Sequence, residues 1–409
     1  MRLRSWHQAT ITALVALASH VAALRLLPYA DELHSLLWTA LSLKDASLLM
    51  RPWMGGVLRL PPKLVLVAGL ASWGPRAWVF HLVVVLLHAV NAVLVGRLGA
   101  RLSGSRPVGF TSGLLFAVGF GAYGKAVFSA SNITIVLALL LLLVSVDLLL
   151  SRRWLWSAVL LALAAASHEI ALGALPLVPV IVLLREDLRR RDAPTGERAS
   201  AGVRWVCFAV AGGLAATIVC SVLPINVTRL FRLELGMVWF MLFPFNTGTA
   251  AAVGGPAWLN VLEDVLVSGR SLLGGALAVV FTVLLMRRSA FVAVAVAWVY
   301  AALFPAAVFI SGWGGDWMER RYLYVASVGA CMLAAGLLAR VRARSRFLAA
   351  ALLVLLLVWS VGLTGMVWRK SVADSLTSDQ IRHRREYLLK LGSMDPHWAE
   401  IAEAERRRG

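Results

Sequence analysis

The chain has 409 residues, 60% of them apolar, and a mean hydropathy of +0.79. A soluble domain cannot bury that much apolar surface, so a bilayer must be its solvent. Its formal charge of +19, from 40 Lys and Arg against 21 Asp and Glu, sits mostly in short loops between apolar runs. That is the pattern of cytoplasmic loops facing anionic lipid, and it excludes a nucleic-acid surface.

The basic start, Met1-Arg2-Leu3-Arg4, leads into an apolar run at 8–27. A cleaved signal peptide begins the same way, but about 20 apolar residues suffice for an uncleaved spanning helix. Further spans are expected at 78–100, 107–122, 127–150, 154–167, 170–184, 204–223, 270–287, 289–311, 321–339 and 346–367. The fold expected is therefore all-α, a polytopic membrane protein of about 11 transmembrane helices. Segments 154–167 and 170–184 are short for a core of ~30 Å, which implies a thinned membrane or a cavity beside them. The stretch 54–73 is apolar but contains Arg59, Pro61, Pro62 and Lys63. These would be costly at mid-membrane, so a helix lying along the surface within a first outer loop, 28–77, is expected. A second outer loop, 224–269, carries the apolar run 235–245, too short to span. One domain, 1–367, is followed by a polar tail, 368–409, with a solvated amphipathic helix expected at 378–391. Cys207, Cys220 and Cys331 all lie in apolar segments, as packing residues and not as a disulfide framework.

With the N-terminus cytoplasmic, every inner loop is basic: Arg97, Arg101 and Arg106; Arg152 and Arg153; the cluster from Arg185 to Arg204; Arg287 and Arg288; and Arg340 to Arg346. The opposite loops hold the acids, and the C-terminus falls outside. Four polar groups share that outer side. They are Asp31-Glu32, Arg51-Pro52-Trp53, Ser167-His168-Glu169, and the stretch from Asp316 through Glu319, Arg320, Arg321, Tyr322 and Tyr324. A carboxylate near a membrane surface can take the proton of an attacking hydroxyl. Arginines can hold a lipid-linked phosphate as it leaves. Aromatic rings suit the lipid–water boundary and stack on sugars. For each piece a simpler role stands beside this one: a solvated acid pair at 31–32, a lipid anchor at Arg51, and helix-to-helix hydrogen bonding for His88 and Asn91. No cluster has metal-ligand spacing, so no cofactor is expected, although Asp and Glu could hold Mg²⁺ or Mn²⁺ against phosphate oxygens.

At these residues the chain resembles the C-type (GT-C) glycosyltransferases, polytopic enzymes that use polyprenyl-phosphate sugars, and among them the protein O-mannosyltransferase-like branch. The resemblance rests on Asp31-Glu32 after the first span, Arg51-Pro52-Trp53 later in that loop, and His88-Ala89-Val90-Asn91 on the next helix. It continues with His168-Glu169 running to Pro176 and with Glu319-Arg320-Arg321-Tyr322-Leu323-Tyr324. It implies a GT-C-like fold and catalysis by Asp31, with Glu32 as the fallback. By the same resemblance Arg51, Arg320 and Arg321 would contact the donor phosphate. His168, Glu169, Asp316, Glu319 and Tyr322 complete the expected substrate site. The chain departs from the family at Ser129-Ala130-Ser131-Asn132, which lacks the usual Arg and Asp, and at His168, where Lys is commoner. The expected partners are a polyprenyl-phosphate-linked sugar, a hydroxyl acceptor (protein, glycolipid or polymer) and membrane lipids, at a bacterial plasma membrane. Two other classes stay open: a lipid or polyol-phosphate transporter or flippase, and a non-catalytic assembly subunit.

Overall fold

The computed structural model describes residues 5–26, 31–51, 59–74, 77–120, 125–168, 170–171, 290–310, 321 and 323–392. Among the described residues all regular structure is helical. Among the described residues five helices are long and apolar enough to cross a membrane: Ser5–Arg25, Trp78–Ser103, Ala130–Leu150, Leu323–Arg344 and Arg346–Ala373. The protein is an all-helical, multi-pass membrane protein. The expected spans at 204–223 and 270–287, all but the first two residues of that at 170–184, and the second outer loop lie outside the described residues.

Helix α1 (Ser5–His20) runs on through a 3-10 turn to Arg25, and α2 (Asp31–Lys44) follows. Next come α3 (Leu60–Trp73) and α4 (Ala77–Ser103). The 14 residues of α3 measure about 21 Å, short of a crossing. Helix α4 turns at Gly104 into α5 (Arg106–Ala117), and small residues let the two backbones touch. A Cβ on Gly109 would lie 2.4 Å from the carbonyl oxygen of Gly96, and one on Gly113 would lie 2.9 Å from that of Ala92. Without a hydrophobic force between helices in lipid, such close packing is what holds them.

The 12 residues of α5 measure about 18 Å, so this helix stops partway, where a continuous span at 107–122 was expected. Its end is a Schellman turn: Phe120 N–H bonds the Leu115 carbonyl at 3.0 Å and Gly119 N–H bonds that of Phe116 at 3.1 Å. Gly119 supplies the left-handed conformation, φ 81°. The carbonyls that remain face donors from three other helices. His88 Nε2 reaches Ala117 O at 3.3 Å, Thr364 Oγ1 reaches Val118 O at 2.9 Å, and Cys331 Sγ reaches Phe120 O at 3.9 Å. Backbone that ends inside a membrane is tolerated only where protein satisfies it in this way.

The chain returns through α6 (Lys125–Phe128), a 3-10 turn at Ala130–Asn132 and α7 (Ile133–Leu150). Helix α8 (Trp154–Ser167) folds back on α7 after a tight turn with Arg152 at φ 63°. Reciprocal bonds clamp the pair: Ser145 Oγ to Ser157 O at 2.7 Å and Ser157 Oγ to Ser145 O at 2.8 Å. Further on, α9 (Ala290–Ile310) and α10 (Leu323–Arg344) pack at Gly329, whose added Cβ would lie 2.3 Å from Ala295 O. Helix α11 (Arg346–Ser375) continues through 367 without a break, and α12 (Ser378–Gly392) follows.

Two ends of the bundle can be told apart. At one, Arg97 Nη2 meets Asp147 Oδ2 at 2.9 Å, Arg101 meets the same carboxylate, and Arg101 Nη1 donates to Ser151 Oγ at 3.0 Å. These half-exposed pairs are worth about 0–1 kcal/mol each, and what they establish is register: the C-terminal ends of α4 and α7 are level. At the other end, α2 sits against the first turns of α4 and the 130–132 turn.

Candidate functional site

Helix α2 begins at Asp31, so the acid pair opens a helix and does not lie in open loop. Glu32, the second residue, is 1% exposed. Its Oε1 accepts the Ala130 N–H at 2.6 Å, and its Oε2 lies 3.8 Å from His81 Nε2 on the first turns of α4. His81 is fully buried, and neither ring nitrogen has a hydrogen-bond partner among the described residues. A carboxylate removed from water costs several kcal/mol unless paired, and the bond that this acid accepts from the Ala130 N–H is charge-assisted. The reading of Glu32 as a solvated loop acid is thereby excluded.

Just past the end of α2, Asp45 caps the 3-10 turn Ala46–Met50 by accepting Ser47 N–H at 2.9 Å. The hydrogen bonds from Ser47, with the nearby Arg51 guanidinium, hold the Asp45 carboxyl below the usual carboxylate range. Arg51 ends that turn with an exposed side chain, while its carbonyl is one of three that accept Lys63 Nζ. The others are Leu49 O at 3.2 Å and Leu48 O at 3.5 Å. Lys63, on α3, is 6% exposed, and burial pulls its ammonium below the ordinary lysine range. The residue that argued against a span is thus a cap, closing the carbonyl end of the Ala46–Met50 turn and tying α3 to it.

His168 is buried at the end of α8, where its Nδ1 accepts Ile170 N–H at 3.2 Å and so shapes its own turn. Arg321 is half-buried, two residues before α10. Glu169, Asp316, Glu319, Arg320 and Tyr322 lie outside the described residues, and of Asp31 only the backbone is described. Glu32, at the head of α4, and His168, at the far end of α8, fall at the end of the bundle opposite Arg97, Arg101 and Asp147. The structure joins Glu32 to His81 and Ala130, and Arg51 to Lys63. Among the described residues, no group of three His, Cys, Asp or Glu side chains comes together that could hold a metal.

A second polar centre lies at mid-height. His88 Nε2 donates to Ala117 O, so its Nδ1 accepts the Tyr324 hydroxyl at 3.0 Å. Asn91 Nδ2 donates to Tyr324 Oη at 3.1 Å and to Val136 O at 2.9 Å. The His20 ring packs edge-on against His88, with centroids 4.5 Å apart. These contacts join α1, α4, α5, α7 and α10, which is helix-to-helix bonding. The roles of His81 and Tyr324 were not read from the sequence. His81 stands 49 residues from Glu32, and Tyr324 shares a motif with Tyr322, so only the fold separates them.

No protein-family model matches the sequence, and no curated protein is similar to it. Among solved structures the chain is similar to the archaeal oligosaccharyltransferase AglB from Archaeoglobus fulgidus, in complex with an inhibitory peptide and a dolichol-phosphate. The identity is 12% and the TM-score 0.46, over 94% of this chain and 59% of that one. The chain therefore spans 59% of that protein's length. A likeness at this level carries no weight for fold or activity.

Proposed function

We propose that this protein is a membrane glycosyltransferase that moves a sugar from a polyprenyl-phosphate donor to a hydroxyl acceptor at the outer face of the plasma membrane. The observation that carries the reading is the buried Glu32 carboxylate beside His81, which fixes the head of α2 and hence the position of Asp31. In this mechanism Asp31 takes the acceptor's hydroxyl proton, and the oxygen attacks the anomeric carbon. The bond from that carbon to the phosphate oxygen breaks, the configuration inverts, and polyprenyl phosphate leaves. Arg51 with Arg320 or Arg321 offsets the charge on the departing phosphate. Glu169, Glu319, Asp316, His168 and Tyr322 orient sugar and arginines. The motif order in the sequence supports the donor class, and the end of the bundle that Glu32 and His168 share supports a common site.

The test uses purified full-length protein in detergent with a panel of polyprenyl-phosphate sugars. One donor should raise the melting temperature, as a ligand that binds only the folded state must. Transfer from that donor to a hydroxyl acceptor should be lost in Asp31→Asn, while the donor-dependent shift persists. If no donor of this class stabilises the protein, the transferase reading falls. If Asp31→Asn turns over at the full rate, Asp31 is not the base.

A further inference from the structure

We propose that the exposed face of α12 docks on the anionic phospholipid headgroups of the bilayer that holds the protein, and so holds α2 against the bundle. This inference does not rest on the transferase reading.

Its height places α12 at the membrane surface. Thr364 meets Val118 O beside Ala117 O, which His88 meets, so Thr364 on α11 and His88 on α4 share one level. From Thr364 to Ser375, and from His88 back to Ala77, the distance is about eleven residues, or ~16 Å. The end of α11 is thus level with the first turn of α4, at the boundary of the apolar slab. Only Leu376 and Thr377 separate α11 from α12.

Its chemistry is that of an interface. The outward stripe of α12 interleaves Ile381 and Leu389, 44% and 57% exposed, with the exposed cations Arg382 and Arg385. Leu376, 54% exposed, continues the stripe towards the lipid-facing Val358 and Val361 of α11. Residues 369–390 hold six Arg or Lys against Asp374, Asp379 and Glu386. A helix in water has no use for large apolar residues between its cations, whereas a headgroup layer takes both. The inner side of α12 is committed: Tyr387 Oη and His34 Nδ1 share a hydrogen bond at 3.3 Å, and the Lys390 ammonium lies over the Tyr387 ring. His34 is two residues from Glu32 on α2, so what anchors α12 also anchors the helix that carries the acid pair.

The experiment places a bimane fluorophore at Leu389→Cys in the full-length protein, with the wild-type chain as the labelling blank. Nanodiscs are made of phosphatidylcholine alone or with phosphatidylglycerol, each containing a shallow doxyl-lipid quencher. Quenching should be about twofold or more greater with phosphatidylglycerol and should fall in 0.5 M salt. It should also fall when Arg382→Gln and Arg385→Gln are combined, and amide exchange in α2 should then speed up. Equal quenching in the two lipids, or quenching that salt does not change, overturns the docking. Unaltered α2 exchange in a folded double variant overturns the link to α2.

Discussion

Glu32 and Asp31 are neighbours in sequence but are assigned different work, and that difference can be measured. Glu32 Oε1 is the acceptor for a buried backbone N–H, so its role is met by any side chain that keeps that oxygen. Glu32→Gln should leave the melting temperature in detergent nearly unchanged and retain most transfer activity. Glu32→Ala should destabilise by about 1–3 kcal/mol, because the Ala130 N–H loses its partner. Loss of transfer in a stable Glu32→Gln protein would instead make Glu32 the base. Lys63 teaches a related lesson. Its charge was legible as a reason not to place a span over 54–73, but its three carbonyl partners come from residues 12 to 15 positions earlier and could not be read from hydropathy.

Among the elements, α5 is the least legible and the most dependent on others. Apolar residues continue through 107–122, so a hydropathy reading runs straight through the Schellman turn at Gly119. Where the helix stops, groups far apart in sequence converge: His88 from α4, Cys331 from α10 and Thr364 from α11. Thr364→Val keeps the shape and removes the donor to Val118 O. It should lower stability by about 1–3 kcal/mol in a detergent unfolding titration, while Thr364→Ser should not. Equal stability of the two variants would show that Val118 O finds another donor. By contrast α4, α7, α10 and α11 were visible as long apolar runs bounded by charge, because length and composition alone decide whether a helix can span. The pairing of His88 and Asn91 with neighbouring helices was also legible, since polar groups three residues apart share a helix face.

For the whole molecule, the sorting of charge to two ends makes a sidedness statement. Arg153 lies in the turn after α7, near the Arg97–Asp147 end, and Glu386 lies on α12 at the α2 end. With one cysteine introduced at a time, a membrane-impermeant maleimide should label Glu386→Cys in intact cells and Arg153→Cys only after permeabilisation. Labelling of both from the same side would overturn the arrangement. The five long helices were recoverable from the sequence because the bilayer imposes a length on every span. The acid–imidazole contact was not, since it depends on how α2 folds back onto the start of α4 and the 130–132 turn.

The truncated α5 has a consequence for biogenesis. Two of its terminal carbonyls, those of Val118 and Phe120, are sealed by groups synthesised more than two hundred residues later. Until those arrive, the nascent chain carries raw peptide dipoles into oil, an arrangement that lipid alone cannot compensate. Those two carbonyls therefore gain their donors only once the helices that carry Cys331 and Thr364 are in place. Damage near the end of the polypeptide would then be felt first at its beginning.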